Sequence, residues 1–451
     1  MKRQLLQLLL AGLMLVTVNA AFGQGTTTSS LNGRVTDASG ETLPGATVVA
    51  VHTPSGSRYG NITSSDGYYR IPNMRVGGPY TVTVTFIGYK EFKQENVFLT
   101  LGQAYKINAE LSETSVTLEG VEVVADRGGV FDGNRTGSET VVGLAQINAT
   151  PTIARAIGDF ARFTPQATID EGSDGFSISI GGQNNRYNSI YIDGAVNNDV
   201  FGLAGSGTNG GQTGVSPISI DAIEQFQIQV APFDVRVSGF AGGAVNAVTR
   251  SGGNEIEGSA YYFFRNEGLA GKTPRDGEGS RDRLDDFSAE TYGVRVGGPI
   301  IKDKLFYFVN VEQQRDQTPQ PFDFADYEGD ATQGQITELV NKLNGFGYDP
   351  GSLSGNPIVL SSDKITAKID YNISQNHKLS ARYSFVEADN IEGVRSSNRT
   401  LNFYNRSESF LSKTNSLSLE LSSTFGSNMA NKFTLGYVNV ADDRDATGQD
   451  F

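Results

Sequence analysis

The chain has 451 residues, with 36 Lys and Arg against 50 Asp and Glu, two His, and neither Cys nor Trp. Without Cys there can be no disulfide, no thiolate catalysis and no Cys-ligated metal, and two isolated His do not form a metal site or a catalytic triad. The net charge of −14 argues against nucleic acid as a partner, because phosphates require a basic surface.

The N-terminus has the pattern of a secretory signal peptide, which we assign to residues 1–23. Two positive charges precede the apolar stretch Leu5–Val18, and small residues place cleavage after Ala20 or after Gly23. The stretch is shorter than the roughly 20 residues that a membrane-spanning helix needs. No later apolar run is long enough for such a helix, so membrane insertion would have to use strands.

Residues 24–112 are predicted to form a β-sandwich. Apolar residues alternate with Thr from Tyr80 to Phe86, and turn signals separate about seven short strands. The stretches GRVTDASGETLPGATVVAV, SSDGYYRIPNM and YTVTVTFIGY resemble the carboxypeptidase-regulatory-like module, a small transthyretin-type sandwich. That resemblance implies an accessory domain, classified as carbohydrate-binding-like by its shape, without catalytic residues. His52 is expected at an edge or on the surface.

Residues 113–135 form a polar linker around the apolar stretch LEGVEVVAD. One interpretation makes this stretch the last strand of the sandwich. The other makes it a TonB box, an extended segment that pairs by strand addition with a periplasmic energising protein, using free backbone groups and alternate side chains. The candidate box residues are Glu119, Val121, Val123 and Val124.

Residues 136–253 differ in composition, since 17 of the 54 glycines lie between 172 and 258. Such density indicates tight turns and close backbone approaches. A helix is predicted from Thr152 at its N-cap to Phe160, with short strands at Phe176–Ile180 and Ser189–Ile192.

This region resembles the plug domain of TonB-dependent outer-membrane receptors. The resemblance is carried by ISIGGQNNRYNSIYIDG (178–194), ISIDAIEQFQIQ (218–229) and GFAGGAVNAVTRSGGNEIEGSAYYFFRN (239–266), the last of which is close to the Oar-like branch. The resemblance implies a mixed α/β plug whose structural positions, more often turns and bulges than ligand contacts, are Gly181, Gly182, Asp193, Gly194, Gly242, Gly243 and Asn246.

Residues 254–451 are predicted to begin a transmembrane β-barrel. Ile365, Ala367 and Ile369 alternate with polar residues, as in a strand between lipid and a polar lumen. A soluble sandwich shows the same alternation, so loop lengths decide. Seven predicted strands, at 255–265, 289–297, 304–312, 364–373, 378–386, 414–424 and 430–440, are separated alternately by long and short connections, which is typical of outer-membrane barrels.

Seven strands cannot close a barrel, and an open edge is not tolerated in lipid. Barrels that hold a plug have about 22 strands. We therefore expect that the sequence is a C-terminally truncated part of a larger transporter.

Motifs that suggest catalysis or metal binding fail on inspection. GSGTNG (205–210) is not followed by a helix, and DEGSDG (170–175) has glycines where a calcium loop needs its third and last ligands. No cofactor, metal site or enzymatic activity is therefore expected.

The sequence predicts a mainly β outer-membrane protein. The resemblance implies that it is a TonB-dependent transporter or receptor, which moves a large ligand by energised displacement of its plug. The resemblance implies two partners, a periplasmic TonB-type protein and the lipid of the outer membrane. The ligand, whether peptide, glycan, siderophore or protein, stays open, as does import or export. The alternatives are a secreted or surface β-sandwich adhesin without transport, which predicts compact repeats, and an envelope peptidase, which needs a site that the residues do not supply.

Overall fold

A computed structural model describes residues 25–114, 138–152, 154–172, 175–230, 240–272 and 283–448. The signal peptide and the candidate TonB box lie outside these residues. The strands fall into a β-sandwich, a central domain and a seven-stranded sheet that we call the wall. Within the described ranges, no helix combines the length and apolar character needed to cross a membrane. The mainly β fold class predicted from sequence is confirmed.

The sandwich comprises two four-stranded sheets whose inward side chains form one apolar core. Its strands are β1 (Thr28–Asp37), β2 (Thr47–His52), β3 (Ser57–Ile62), β4 (Tyr68–Arg75), β5 (Gly77–Thr85), β6 (Phe92–Leu99), β7 (Ala104–Lys106) and β8 (Ala109–Leu111). The alternation that the sequence shows around Tyr80 lies in β5, where Tyr80, Val82 and Val84 are buried.

His52 is buried, and the expectation of an edge or surface position is wrong. It follows Val48 and Ala50 on the inward face of β2, packs against Tyr80 with ring centroids 4.9 Å apart, and its Nδ1 lies 2.7 Å from Ser55 Oγ. Burial, together with the positive charge of Arg75, lowers the pKa of His52 to about 2. The imidazole is therefore a neutral part of the core.

The central domain is a five-stranded sheet with a two-stranded hairpin and two short helices. Its elements are β9 (Ser138–Gly143), α1 (Leu144–Ala149), α2 (Ile157–Ala161), β10 (Ala167–Gly172), β11 (Gly175–Ile180), β12 (Ser189–Ile192), β13 (Ala195–Val196), β14 (Ile223–Val230) and β15 (Gly243–Thr249). The sheet order is β13-β12-β15-β14-β9, which leaves β9 at an edge.

The helix predicted from Thr152 is shorter in the structure and begins later. Arg155 has a left-handed backbone with φ 51°, which no helix continues through. Helix α2 begins after Ala156, whose backbone N–H donates to the Asp159 carboxylate. Helix α1 was not predicted.

The wall is a continuous antiparallel sheet in chain order. Its strands are β16 (Glu257–Asn266), β17 (Ser288–Ile301), β18 (Leu305–Thr318), β19 (Ile358–Asn372), β20 (His377–Glu392), β21 (Glu408–Phe425) and β22 (Met429–Ala446), and α3 (Gln333–Gly345) lies in the β18–β19 connection. The predicted alternation of long and short connections is present. Most strands are longer than predicted, because pairing continues beyond the apolar band, as far as Glu408 opposite Ala446.

The two faces of the wall have the reverse of a soluble protein's polarity. On β19 the side chains of Lys364 and Lys368 are buried against the central domain, whereas Ile365 and Ile369 are 40% and 49% exposed on the other face. Apolar side chains facing outward and charges facing inward are what a sheet needs when lipid lies outside and polar groups lie inside.

The sandwich lies at the end of the wall where the short connections are. Asn372 donates to Ser57 Oγ at 2.8 Å, Asn61 donates to the backbone oxygen of Ser427 at 3.0 Å, and Asn254 N donates to Pro54 O at 2.7 Å. In outer-membrane barrels the short turns face the periplasm, so in a barrel of that kind the sandwich would be on the periplasmic side.

Candidate functional site

A buried ion cluster joins the central domain to the wall. The Asp193 carboxylate, at the turn after β12, lies 2.9 Å from Arg382 Nε on β20 and 3.7 Å from Lys368 Nζ on β19. The Arg382 side chain is only 2% exposed. One carboxylate of the central domain therefore binds two neighbouring wall strands; we call this cluster the Asp193 latch.

Backbone geometry presents Asp193 to the wall. Its φ is 46° and that of Gly194 is 76°, a left-handed pair that Asp and Gly tolerate and that turns the chain sharply after β12. Thr249 donates to the carboxylate through both its N–H and its hydroxyl. Burial raises the pKa of Asp193, but Lys368, Arg382 and these hydrogen bonds outweigh it and hold the pKa below its ordinary value.

A second buried cluster, the Glu312 latch, joins the same two parts. Glu312 on β18 pairs with Lys364 on β19 at 3.0 Å, and both side chains are 5% exposed. Ser219 of the central domain donates to Glu312 Oε2 at 2.6 Å, and Tyr261 on β16 donates to the same oxygen at 2.9 Å. The carboxylate is thus shared between the wall and the central domain.

Apolar contacts between the central domain and the wall involve only a few buried wall side chains. The central core, formed by residues such as Phe160, Phe226 and Ile228, belongs to the central domain itself, and Phe308 of the wall joins it. A separate small cluster places Val215 against Val386 and Ala388. Polar contacts therefore account for much of how the central domain is held.

The structure brings only some of the predicted structural positions together. Asp193 and Gly194 form the turn at the wall, and Asn246, on β15, accepts from the Thr26 N–H at 3.2 Å. Gly181 and Gly182, with φ of 62° and 74°, form the turn after β11. The remaining two positions, Gly242 and Gly243, precede and begin β15. The box residues Glu119, Val121, Val123 and Val124 lie outside the described residues.

Three domain families match this sequence. Residues 30–112 match the Carboxypeptidase regulatory-like domain, residues 132–245 the TonB-dependent Receptor Plug Domain, and residues 248–357 and 350–451 the Outer membrane beta barrel domain. The TonB-dependent transporter Oar of Myxococcus xanthus is 29% identical over 308 residues, which are 64% of this chain and 27% of that protein. This chain belongs to the TonB-dependent outer-membrane receptors. Its location is accordingly the outer membrane.

Other relatives of this receptor chain carry transporter or receptor names. The probable TonB-dependent siderophore receptor PirA of Acinetobacter baumannii is 29% identical over 163 residues, 34% of this chain and 19% of that protein. Among solved structures, the outer membrane transporter YddB of Escherichia coli gives a TM-score of 0.47 at 14% identity, covering 69% of this chain and 40% of YddB. The siderophore receptor PirA of Pseudomonas aeruginosa gives a TM-score of 0.44 at 12% identity, covering 70% of this chain and 42% of that receptor. The chain spans about a quarter of the length of Oar.

Sequence reasoning missed the receptor's wall partners. Lys368 and Arg382 occupy polar positions of the predicted strands 364–373 and 378–386, and Glu312 ends the predicted strand 304–312. A pattern of period two does not say which of these charges meets which partner. The signal that could have been used is that a basic residue recurs on the inward face of β19 and β20, at Lys364, Lys368 and Arg382. Such charges need partners in a lumen that excludes water.

Among the predicted structural positions of the plug, Gly243 is the one where an added side chain would come nearest to a backbone atom. A Cβ there would lie 2.6 Å from both Gln229 O and Ile180 Cγ2, whereas a Cβ at Gly182 would meet nothing within 4 Å. We expect Gly243→Ala to destabilise the central domain by about 1–3 kcal/mol through overpacking. Limited proteolysis of the membrane-bound receptor in urea measures this effect.

Gly182→Ala is the matched control, and it should cost only about 1 kcal/mol of left-handed strain. Equal proteolysis of the two variants would contradict the assignment of Gly243 as a close-packing position.

Proposed function

We propose that this receptor moves a large ligand across the outer membrane by displacement of its central domain, driven by a periplasmic TonB-type protein. The central domain acts as the plug of the lumen. The energising protein adds the box stretch as a strand and pulls on it. The pull passes along the linker to Ser138 and so to β9, the edge strand of the central sheet.

The observation that carries this proposal is how the central domain is seated. The Asp193 and Glu312 latches consist of a few buried ionic and hydrogen-bonding contacts, and the hydrogen bonds are lost once donor and acceptor are more than about 3.5 Å apart. A continuous apolar core would instead resist separation over its whole area. A domain that must leave and return to the lumen is well served by the first arrangement.

The outer side offers a surface where a ligand could bind. The long connections around 319–357 and 393–407 enclose an open cavity of about 1140 Å³. Its lining combines the aromatic rings of Phe322, Phe324 and Phe403 with the charged groups of Arg395 and Asp323. Aromatic surface with a few polar groups is typical of ligand sites. We propose this cavity as part of the outer ligand surface.

The box is tested with Val123→Pro in cells that express the intact gene with an affinity tag. Proline removes one backbone donor from the added strand. We expect capture of the cell's TonB-type protein by the tagged receptor to fall at least tenfold. Gly129→Pro, in the same linker but outside the box stretch, is the matched control and should leave capture unchanged.

The two interpretations of the stretch are distinguished by the stability of the sandwich. If Val123 lies in a last sandwich strand, Val123→Pro lowers the urea midpoint of the sandwich and leaves capture as it was. That outcome would place the box elsewhere.

A further inference from the structure

The central sheet has a polar face, and the sandwich covers it. Along β14, Gln225 and Gln227 alternate with Phe226 and Ile228, which point into the apolar core. Gln225 exchanges hydrogen bonds with the sandwich backbone, accepting from Leu101 N at 3.0 Å and donating to Leu99 O at 3.2 Å. The apolar part of this interface is a cluster of three side chains, Val76, Leu101 and Val248. A small, mostly polar interface of this kind suits two domains that separate.

Glu139 is the point where three chain segments meet at this interface. It is the second residue of β9 and therefore lies just after the linker. Its Oε1 accepts from Gln103 of the sandwich at 2.6 Å, and its Oε2 accepts from Gln227 of β14 at 2.6 Å. Gln227 also donates to Leu101 O at 3.2 Å and is fully buried. The carboxylate thus ties the sandwich, the edge strand and the inner strand together.

Thr114, at the start of the linker, and Ser138, just after the linker, lie near opposite ends of the sandwich. The sandwich ends beside Gly88, where Thr114 N donates to Gly88 O, next to the start of β6. The other end of β6, at Leu99, is the end that contacts Gln225. Eight strand residues separate these ends by about 25 Å. A pull on the linker therefore reaches the far end of the sandwich on one side and Glu139 on the other.

We propose that Glu139 is a positioning residue for transport: it clasps the sandwich to the first strand of the central domain until the linker is pulled. The inference rests on the proposed function for its energy source. In the resting receptor the clasp keeps β9 in the sheet and the sandwich against the periplasmic end of the wall. Pulling on the linker loads Ser138 and breaks the two contacts of Glu139, so the sandwich separates before β9 leaves β14.

The clasp is tested without any ligand by the accessibility of one cysteine. Residues 1–451 contain no Cys, so Leu101→Cys introduces a reporter at a fully buried interface position, and the receptor without this substitution gives the background labelling. Outer membranes from cells that express the intact gene are treated with fluorescein maleimide, and the labelling rate is measured. We expect Glu139→Ala to raise that rate at least tenfold. Glu139→Gln should stay within about threefold, because neighbouring amides can reverse their donors and acceptors.

Two controls separate opening of the interface from other causes. Glu110→Ala removes an exposed carboxylate from β8 and should leave the rate unchanged. Leu31→Cys reports the sandwich core and should remain unlabelled in all variants. Labelling of Leu31→Cys as fast as Leu101→Cys would show unfolding of the sandwich and would overturn the clasp, as would an unchanged rate in Glu139→Ala.

Labelling in living cells separates the clasp from the proposed function. The clasp and the proposed function together predict that Leu101→Cys is labelled faster when the inner membrane is energised than after addition of an uncoupler. Val123→Pro should abolish this difference. If Glu139→Ala opens the interface but energy has no effect, the clasp stands and energised displacement fails. If energy opens it but Glu139→Ala does not, the clasp fails and the proposed function stands.

Discussion

Replacing Asp193 by Asn is expected to lower the free energy of unfolding of the central domain by about 3–5 kcal/mol, the usual cost of leaving a buried charge without its partner. The substitution keeps the size of the side chain and its tolerance of a left-handed backbone, so the change is mainly one of charge. Arg382, which is 2% exposed, then loses its counter-ion. Urea titration of the receptor in outer membranes, read by proteolysis of the central domain, measures the effect.

Asp170→Asn is the matched control, because Asp170 is exposed on β10. It should change the stability by less than about 0.5 kcal/mol. A similar value for both variants would show that the Asp193 latch contributes little to seating the central domain.

The low pKa of Asp193 determines how the latch responds to pH. A carboxyl whose pKa is lower in the folded than in the unfolded protein stabilises the fold fully above its ordinary value, here 3.8, and loses that contribution as the pH falls through the folded pKa. Acidification that stays above about pH 4 therefore leaves the latch closed. If the central domain is displaced as proposed, mild acidification is therefore not what releases this latch.

Glu312→Gln is expected to lower the free energy of unfolding of the central domain by a similar amount, about 3–5 kcal/mol, because Lys364 is then buried without a negative partner. The amide oxygen of Gln can still accept from Ser219, so a small loss would mean that hydrogen bonding, and not charge, holds this latch. The control is Glu387→Gln. Glu387 pairs with Lys413 where both side chains are more than a third exposed, and an exposed pair contributes about 1 kcal/mol or less.

The two latches should act independently. Their wall lysines, Lys364 and Lys368, are four residues apart on β19, or about 13 Å. Effects of sites more than about 7–10 Å apart usually add. In the double variant Asp193→Asn with Glu312→Gln, the free energy of unfolding of the central domain should therefore fall by the sum of the two single losses. A much smaller fall would show that release of one latch already releases the other.

The sandwich covers the central domain on the periplasmic side. It gives that domain a third attachment, in addition to the two latches. The latches fix the domain to the wall, whereas Glu139 fixes its first strand to the sandwich. The linker is followed directly by β9, so under the proposed function a pull on the linker would reach Glu139 before the turn at Asp193. We therefore expect variants of Glu139 to change the onset of opening, and variants of Asp193 to change how much of the domain leaves.

The sequence by itself determined the architecture, since that information is local. Alternation at Ile365, Ala367 and Ile369, and the long and short connections around them, needed only residue order. The turn at Gly194 could likewise be recognised from local residue order, whereas Gly181 and Gly182 were expected from the family resemblance.

The tertiary structure alone decided which polar groups meet. Asp193 and Arg382 are 189 residues apart, and Gln103 and Glu139 belong to different domains, so no local pattern could pair them. His52 was misjudged for the same reason, because a strand pattern gives the face of a residue but not what covers that face. Buried charges and amides are satisfied by partners that only packing brings within 3 Å, and in this receptor those partners determine how the central domain is held.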